Sequence, residues 1–426
     1  MKSSIITGIE AWEALSDYMV PAVNVRVTTA GGKWAAASYT EGSGSGPYYG
    51  YHLYDGGSRF GGKGVGAAAA LINDALAPAL AGMDCLSQSV VDHAITATLA
   101  GRGLPVATNV SSPVSFAVLK AAAACLGLPL FEYIGGAFAA KIPVPGFLCA
   151  SGSSRYGEHS SAGGKPLYAF VAHDFQTNDE ADYALWEVEN LWESEMAKQY
   201  GVRPHRSFSM AIPKGRVKDD AQMWALMAEC IEKTGFKGKV GLHADFSASA
   251  FYNAQSGCYE GLYDEKKRTR GEMIALVTDI AKKYPFVVIQ DPLEAEDTDG
   301  FREITKAVDI QVAGSDIFGT DLERLDRCAR EECFNAAILR VQKYATFSDC
   351  VKAVSICNGL GIGVMPCDSA GEDTDIIHYA VGLRCGSICM SGLSSHGNKM
   401  ALIEKAIGPR ALFFGSQGLK GRRFAL

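Results

Sequence analysis

The sequence predicts an α/β protein: a small α+β domain over residues 1–140, followed by a (β/α)8-type barrel over residues 141–426. Three observations predict it. Short apolar runs rich in β-branched residues recur through the last two hundred residues, most of them starting roughly 25 residues apart. Amphipathic helical patterns fill the gaps between them. The first 140 residues instead show a hairpin, a glycine- and tyrosine-rich loop and alanine-rich helices. Near-continuous apolar strands alternating with amphipathic helices mean parallel β/α units whose sheet is covered on both faces. Six such units, with more before them, are best accommodated by a closed barrel.

The elements follow in order. The opening MKSSIITGIEAWEAL lacks the apolar run and small-residue cleavage site of a secretory signal. VPAVNVRVTT (20–29) and KWAAASYTEG (33–42) read as a hairpin around Ala30-Gly31-Gly32. In the loop EGSGSGPYYGYHLYDGGSRFGGKG (41–64), the glycines from Gly42 to Gly46 lack the G-K-[ST] ending of a phosphate cradle and read as a flexible loop. Tyr48, Tyr49, Tyr51 and Tyr54 suit a protein-binding surface or packing over the barrel mouth. The apolar stretch from Gly64 to Gly82 is broken by Asn73, Asp74 and Pro78, so it reads as a buried helix, and no apolar run of about 20 residues is expected to span a bilayer. LPLFEYIGG (128–136) and KIPVPG (141–146) make the junction. The barrel strands are KVGLHADF (239–246), FVVIQDP (286–292), IQVAGSD (310–316), AAILRVQ (336–342), GIGVMPCD (361–368) and GSICMSG (386–392). Helices are predicted at 321–332 and 347–359, and the basic Lys420, Arg422 and Arg423 read as a solvated tail.

With 40 basic and 47 acidic side chains the net charge is −7, which gives no electrostatic footprint for nucleic acid. Hydrophobic residues at 48% and charged residues at 20% suit a globular core rather than disorder. The 12 cysteines are scattered, with none in a C-x-x-C pair; Cys328/Cys333 and Cys385/Cys389 are the closest and have no zinc-finger context. They read as buried reduced thiols of a cytoplasmic protein.

Barrel chemistry sits at the C-terminal ends of strands. Those positions hold Asp245, then Gln290 and Asp291, then Ser315 and Asp316, then Arg340, Gln342 and Lys343, and finally Asp368. Carboxylates on neighbouring strands suit a hard cation such as Mg²⁺. Asp residues also end strands as caps and turn formers, a reading that fits Asp291 before Pro292. His243 and Asp245 stand two apart and share a face. With Asp316 and Asp368 they suit a repurposed metal or acid/base site, or a hydrogen-bonded polar interior.

GGKGVGAAAALINDALAPALAGMD, LPLFEYIGG with IPVPG, DFSASAFY, PFVVIQDPLEAED, QVAGSDIFGTDLERL, ILRVQKYAT and VMPCDSAGEDTDIIHYAVGLRCGSI resemble successive landmarks of the enolase family, in enolase order and over nearly the whole chain. The resemblance implies an N-terminal α+β capping domain, an enolase-type ββαα(βα)6 barrel and commonly a homodimer. It also implies Mg²⁺-assisted removal of a proton from 2-phosphoglycerate with loss of water. That chemistry takes three metal carboxylates, a lysine base, a glutamate acid, a second lysine, and histidine and arginine contacts.

Carried over position by position, most of these residues differ. The metal carboxylates fall on Asp245, Gln290 and Ser315. The lysine base falls on Arg340, which keeps its proton at physiological pH. The catalytic glutamate falls near Phe208, the second acid position on Ala169, the histidine on Arg155 and the second lysine on Cys389. The Ser-His-Arg-Ser clamp reads Cys367, Asp368, Ser369, Ala370, and Tyr18 stands where the family has an arginine near its dimer contact. Arg340 and Asp368 in place of lysine and histidine suggest internal ion pairs in the old site. These losses lead to the expectation of a non-catalytic enolase-like pseudoenzyme without 2-phosphoglycerate dehydratase activity and without a cofactor. Such a protein would serve as a scaffold with protein partners, in the cytoplasm and speculatively in a cytoskeletal or flagellar structure. The alternative is a diverged enolase-superfamily lyase or isomerase, or a small-anion sensor, using a remodelled site of His243, Asp245, Asp316, Arg340 and Asp368, with Mg²⁺ only in that case.

Overall fold

The computed structural model describes residues 2–16, 19–42, 46–152, 165–202, 210–390 and 392–425. Its first part is a three-stranded antiparallel sheet of Ile6–Leu15, Pro21–Thr29 and Trp34–Thr40, paired in that order. Val23, Val25 and Val27 alternate onto one buried face, the period of two that a half-buried strand requires. The hairpin turns where glycine permits it: Gly32 has φ +74° and donates its N–H to the Thr29 carbonyl at 2.9 Å. The helix Thr108–Leu126 packs on this sheet. It is long and apolar enough to cross a membrane by length and composition, contrary to the sequence expectation, yet most of it is enclosed by protein. The apolar stretch near 64–82 is helical over Gly66–Leu80, through a π-type turn at Ile72–Leu76. Asn73 belongs there because its amide exchanges two 2.8 Å hydrogen bonds with the backbone of Ala11, replacing the strand pairing an edge strand lacks.

The second part is the barrel. Its strands are Val144–Ser151, Leu167–Ala172, Val240–Asp245, Phe286–Gln290, Gln311–Gly314, Ala336–Leu339, Gly363–Pro366 and Ser387–Met390, hydrogen-bonded in that sequence. The second strand runs antiparallel to both neighbours and the others run parallel. The eighth pairs with the first from Ser387↔Val144, and a bridge between Cys367 and Cys389 ties the seventh to the eighth, which closes the barrel. Val144, Leu148, Ala169, Val171, Val288, Ala313 and Ile338 fill the interior. Helices on the outside begin at side-chain caps: Thr269, with a reciprocal bond from Glu272, for Arg270–Lys283; Asp321 for Leu322–Arg330; and Thr346 for Phe347–Gly359.

The C-terminus is not a solvated tail. Leu419 joins the barrel interior, and Arg423 reaches Asp309 at 2.8 Å and the Phe286 carbonyl at 2.9 Å. Phe286 opens the fourth strand, so this segment stoppers the end of the barrel opposite the strand C-termini. The closure is tight: a Cβ on Gly418 would lie 2.2 Å from the Gly386 carbonyl oxygen.

Candidate functional site

The C-terminal ends of the parallel strands gather charged side chains into one buried group. The antiparallel second strand changes what is present there. Its first residue, Leu167, pairs with Asp245, the last of the third strand, so Lys165 arrives at the mouth from the beginning of a strand. The Lys165 ammonium pairs with Asp245 Oδ2. Asp245 Oδ1 also accepts the backbone N–H and hydroxyl of Ser247 at 3.1 and 3.0 Å. Burial, with the Arg340 cation adding repulsion, draws Lys165 down to about 8.

The next strand ends are joined through carboxylates. Asp291 follows the fourth strand with φ +45°, a left-handed conformation that aspartate tolerates better than most residues. Its Oδ1 accepts the N–H groups of Ser315 and Asp316 at 2.8 and 3.1 Å, and its Oδ2 accepts Gln290 Nε2 at 3.3 Å. Burial and nearby Asp316 push Asp291 up to about 7. On the other side of Gln290, its Oε1 accepts His243 Nε2 at 3.2 Å. Burial, with repulsion from Lys165, lowers His243 to about 3 and keeps the ring neutral.

Arg340, 2% exposed after the sixth strand, donates Nε to Ser315 Oγ at 3.0 Å and to the Tyr49 hydroxyl at 2.9 Å. Tyr49 in turn donates to Asp316 Oδ1 at 2.8 Å, while Arg340 lies 3.9 Å from the same carboxylate. Tyr49 comes from the loop of the first domain, and burial raises its hydroxyl far above the ordinary range, so it is a neutral donor. Tyr48 lies under the Arg324 guanidinium at 3.8 Å and bonds Glu296. These two tyrosines therefore pack over the barrel mouth; Tyr51 remains exposed and Tyr54 stacks on His52.

Lys343, also 2% exposed, lies 4.9 Å from the Tyr49 ring. Burial, reinforced by Arg340, lowers it to about 7. Glu372 anchors its surroundings. Its carboxylate accepts the N–H of Gln342 at 2.9 Å and those of Ser369 and Ala370 at 3.0 and 2.6 Å, tying the loop after the sixth strand to the loop after the seventh. Burial and Asp368 push Glu372 up to about 7. Asp368 Oδ2 lies 3.7 Å from His396 Nε2.

Of the residues the sequence singles out, Asp245, Asp316, Arg340 and Asp368 thus lie at one mouth, with His243 beneath them beside Gln290. Ala169 sits inside the barrel opposite His243 in register, and Cys389 faces the interior from the last strand. Phe208, Arg155 and Tyr18 lie outside the described residues. The sequence reading assigned no role to Lys165, Glu372 or His396, and mentioned Lys343 only as a strand-end residue. An acid four residues after Asp368 was the one available signal for Glu372; nothing local marked Lys165.

At the positions the resemblance assigns to Mg²⁺, the residues present do not fit the ion. Asp245 is already paired with Lys165, Gln290 is neutral and bonded to His243 and Asp291, and Ser315 accepts from Arg340. Among the described residues no three His, Cys, Asp or Glu side chains form a metal-holding group.

The sequence matches two family descriptions, "Enolase, N-terminal domain" over residues 6–134 and "Enolase, C-terminal TIM barrel domain" over residues 213–421. It is similar to the enolase of Methanopyrus kandleri, 32% identical over 96% of this chain and 99% of that protein. It is 31% identical to the enolase of Methanocaldococcus jannaschii over 94% of each chain, and 31% identical to that of Mycobacteroides abscessus over 96% of each. These full-length relatives overturn the reading of a non-catalytic scaffold, and with it the cytoskeletal and flagellar associations. That reading rested on a position-by-position carry-over from the resemblance alone. The barrel mouth nevertheless carries three cations and several carboxylates, two of them lysines lowered toward neutrality. The expectation of no cofactor stood only on inertness and is withdrawn with it.

Proposed function

Because this chain belongs to the enolase family, we propose that it is an enzyme of that family: a lyase or isomerase that removes a proton from the carbon beside the carboxylate of a small anionic substrate. The observation that carries this reading is Lys343, a buried lysine at the barrel mouth drawn down to about 7. A lysine in that range is part neutral at physiological pH and takes up a proton readily. Arg340, three residues earlier, cannot serve as a base but remains a cation throughout the cycle. Its guanidinium stabilises the negative charge that develops on the substrate carboxylate as the proton leaves. Lys165 adds a second cation, and Tyr49 and Ser315 hold Arg340 in place. Glu372, standing near 7 on the adjoining loop, supplies a carboxyl group for protonating a leaving hydroxyl. A homodimer in the cytoplasm is proposed alongside, tested by solution mass and by fractionation.

The test is proton exchange in D₂O. The protein is incubated with 2-phosphoglycerate and a set of 2-hydroxy carboxylates, with and without millimolar Mg²⁺, and the α-proton signal is followed by NMR. Loss of that signal for one substrate, abolished by Lys343→Met, is the expected result. Retention of every α-proton in both metal conditions overturns the proposal.

A further inference from the structure

We propose that Cys367 and Cys389 form a reversible modification site at the barrel mouth, a dithiol that a small disulfide oxidises to an intramolecular disulfide. The two residues are bridge partners on the neighbouring seventh and eighth strand ends. Neighbouring strands lie about 4.8 Å apart, inside the range of Cα separations that a disulfide spans. Cys389 belongs to an interior cluster against which Cys367 packs, and the Cys367 thiol donates to the Asp368 carbonyl at 3.6 Å. Their exposure differs in a useful way. Cys367 is half-buried, whereas Cys389 is 3% exposed. The more open residue is the one placed to take up the oxidant, and the more enclosed one is placed to resolve the adduct. The neighbouring Cys389 thiol, and then the Arg340 and Lys165 cations, lower Cys367 and favour its thiolate.

Other cysteine pairs lack this combination. Cys328 and Cys333 are free thiols five residues apart, but both are fully buried. Cys125 is half-buried beside Cys85, but burial and Cys125 push Cys85 up to about 12, with no cation among the causes.

The step balances with a glutathione-type disulfide as oxidant. The Cys367 thiolate attacks one sulfur of the oxidant, forming a mixed disulfide and expelling one glutathione thiolate. Cys389 then gives up its proton and attacks Cys367 Sγ, expelling the second. Two electrons pass from the two protein thiols to the oxidant, and the two protons end on two glutathione thiols. The bond itself does not depend on the function proposed above; only its effect on turnover does. It replaces a polarisable thiol pair beside Arg340 and Lys165 with a fixed link across the mouth.

The experiment uses the whole chain, incubated with oxidised glutathione, alkylated and mapped by peptide mass spectrometry with fragmentation. The expected product is two hydrogens lighter than the reduced protein, with Cys367 linked to Cys389, and dithiothreitol reverses it. Cys389→Ser is expected to keep one glutathione on Cys367, because the resolving thiol is gone; Cys389→Ala reads the same point if the serine variant fails to fold. Absence of the Cys367–Cys389 link in the wild type, or an unmodified Cys367 in a folded Cys389 variant, overturns the proposal. Where α-proton exchange is found, oxidation is expected to slow it at least tenfold and reduction to restore it. A link that forms in a protein without exchange refutes the function and leaves the modification site standing.

Discussion

Replacing Lys343 with methionine separates what this residue costs the fold from what it does for chemistry. In the folded chain Lys343 is 2% exposed and lowered to about 7 by burial and Arg340. An unfolded lysine titrates near 10.4. At pH 7 and below, the unfolded chain therefore holds a hydrated ammonium where the folded chain must bury a charge or lose its proton. The difference in proton affinity corresponds to about 5 kcal/mol of lost stability as an upper figure. The sign follows from linkage. Between about 7 and about 10.4 the unfolded state binds more protons, so stability rises with pH across that window and the penalty is full below it. Methionine has similar length and no charge, but it forgoes the ammonium's contact with the Tyr49 ring at 4.9 Å and its attraction to Asp316 and Glu372, together about 3 kcal/mol. The net expectation for Lys343→Met is a gain of about 2 kcal/mol at pH 6–7, read as a rise of a few degrees in thermal midpoint. The gain should shrink as pH approaches 10, while α-proton exchange is lost at every pH. Thermal melts of both proteins at pH 6, 7, 8.5 and 10 supply the readout. A variant that is less stable than wild type at pH 6, or an advantage that does not shrink with pH, refutes the account of Lys343 as a buried, proton-shedding lysine.

Three further outcomes follow from the same geometry. Lys165→Met leaves Asp245 buried without its cation and should cost about 3–5 kcal/mol in chemical denaturation, with much of the loss recovered when Asp245→Asn is added; additive losses in the double variant would disprove the pairing. Tyr49→Phe removes the hydroxyl between Arg340 and Asp316 and should lower stability by about 1–2 kcal/mol while slowing exchange; unchanged exchange kinetics would show that Tyr49 does not position Arg340. Gly418→Ala puts a Cβ against the Gly386 carbonyl and should destabilise by about 1–3 kcal/mol, and a melt equal to wild type would show that the C-terminal stopper yields freely.

The barrel from residue 240 onward was legible in the sequence because its pattern is local. Each apolar strand is short, bounded by polar strand-end residues, and followed by a helix whose cap is a few residues away. The predicted runs at 286–292, 336–342 and 386–392 contain the observed strands Phe286–Gln290, Ala336–Leu339 and Ser387–Met390. The tail at Lys420 to Arg423 read as solvated because its partners, Asp309 and the Phe286 carbonyl, lie more than a hundred residues away. Tyr48 and Tyr49 were ambiguous for the same reason, since only the closed barrel brings Arg324 and Arg340 to them.

The sequence alone determined the fold class, the family and the side chains at the strand ends, because periodicity and motif order are properties of neighbouring residues. It also placed Arg340 and Cys389 at strand ends of the barrel. Tertiary structure alone decided what surrounds those side chains. A second strand that runs antiparallel carries Lys165 to the mouth, where it pairs with Asp245. Burial beside Arg340 lowers Lys343 to about 7, far from the range of an ordinary lysine. The proton affinity of a side chain depends on the water and charges around it, and those are set by segments that meet only when the barrel closes.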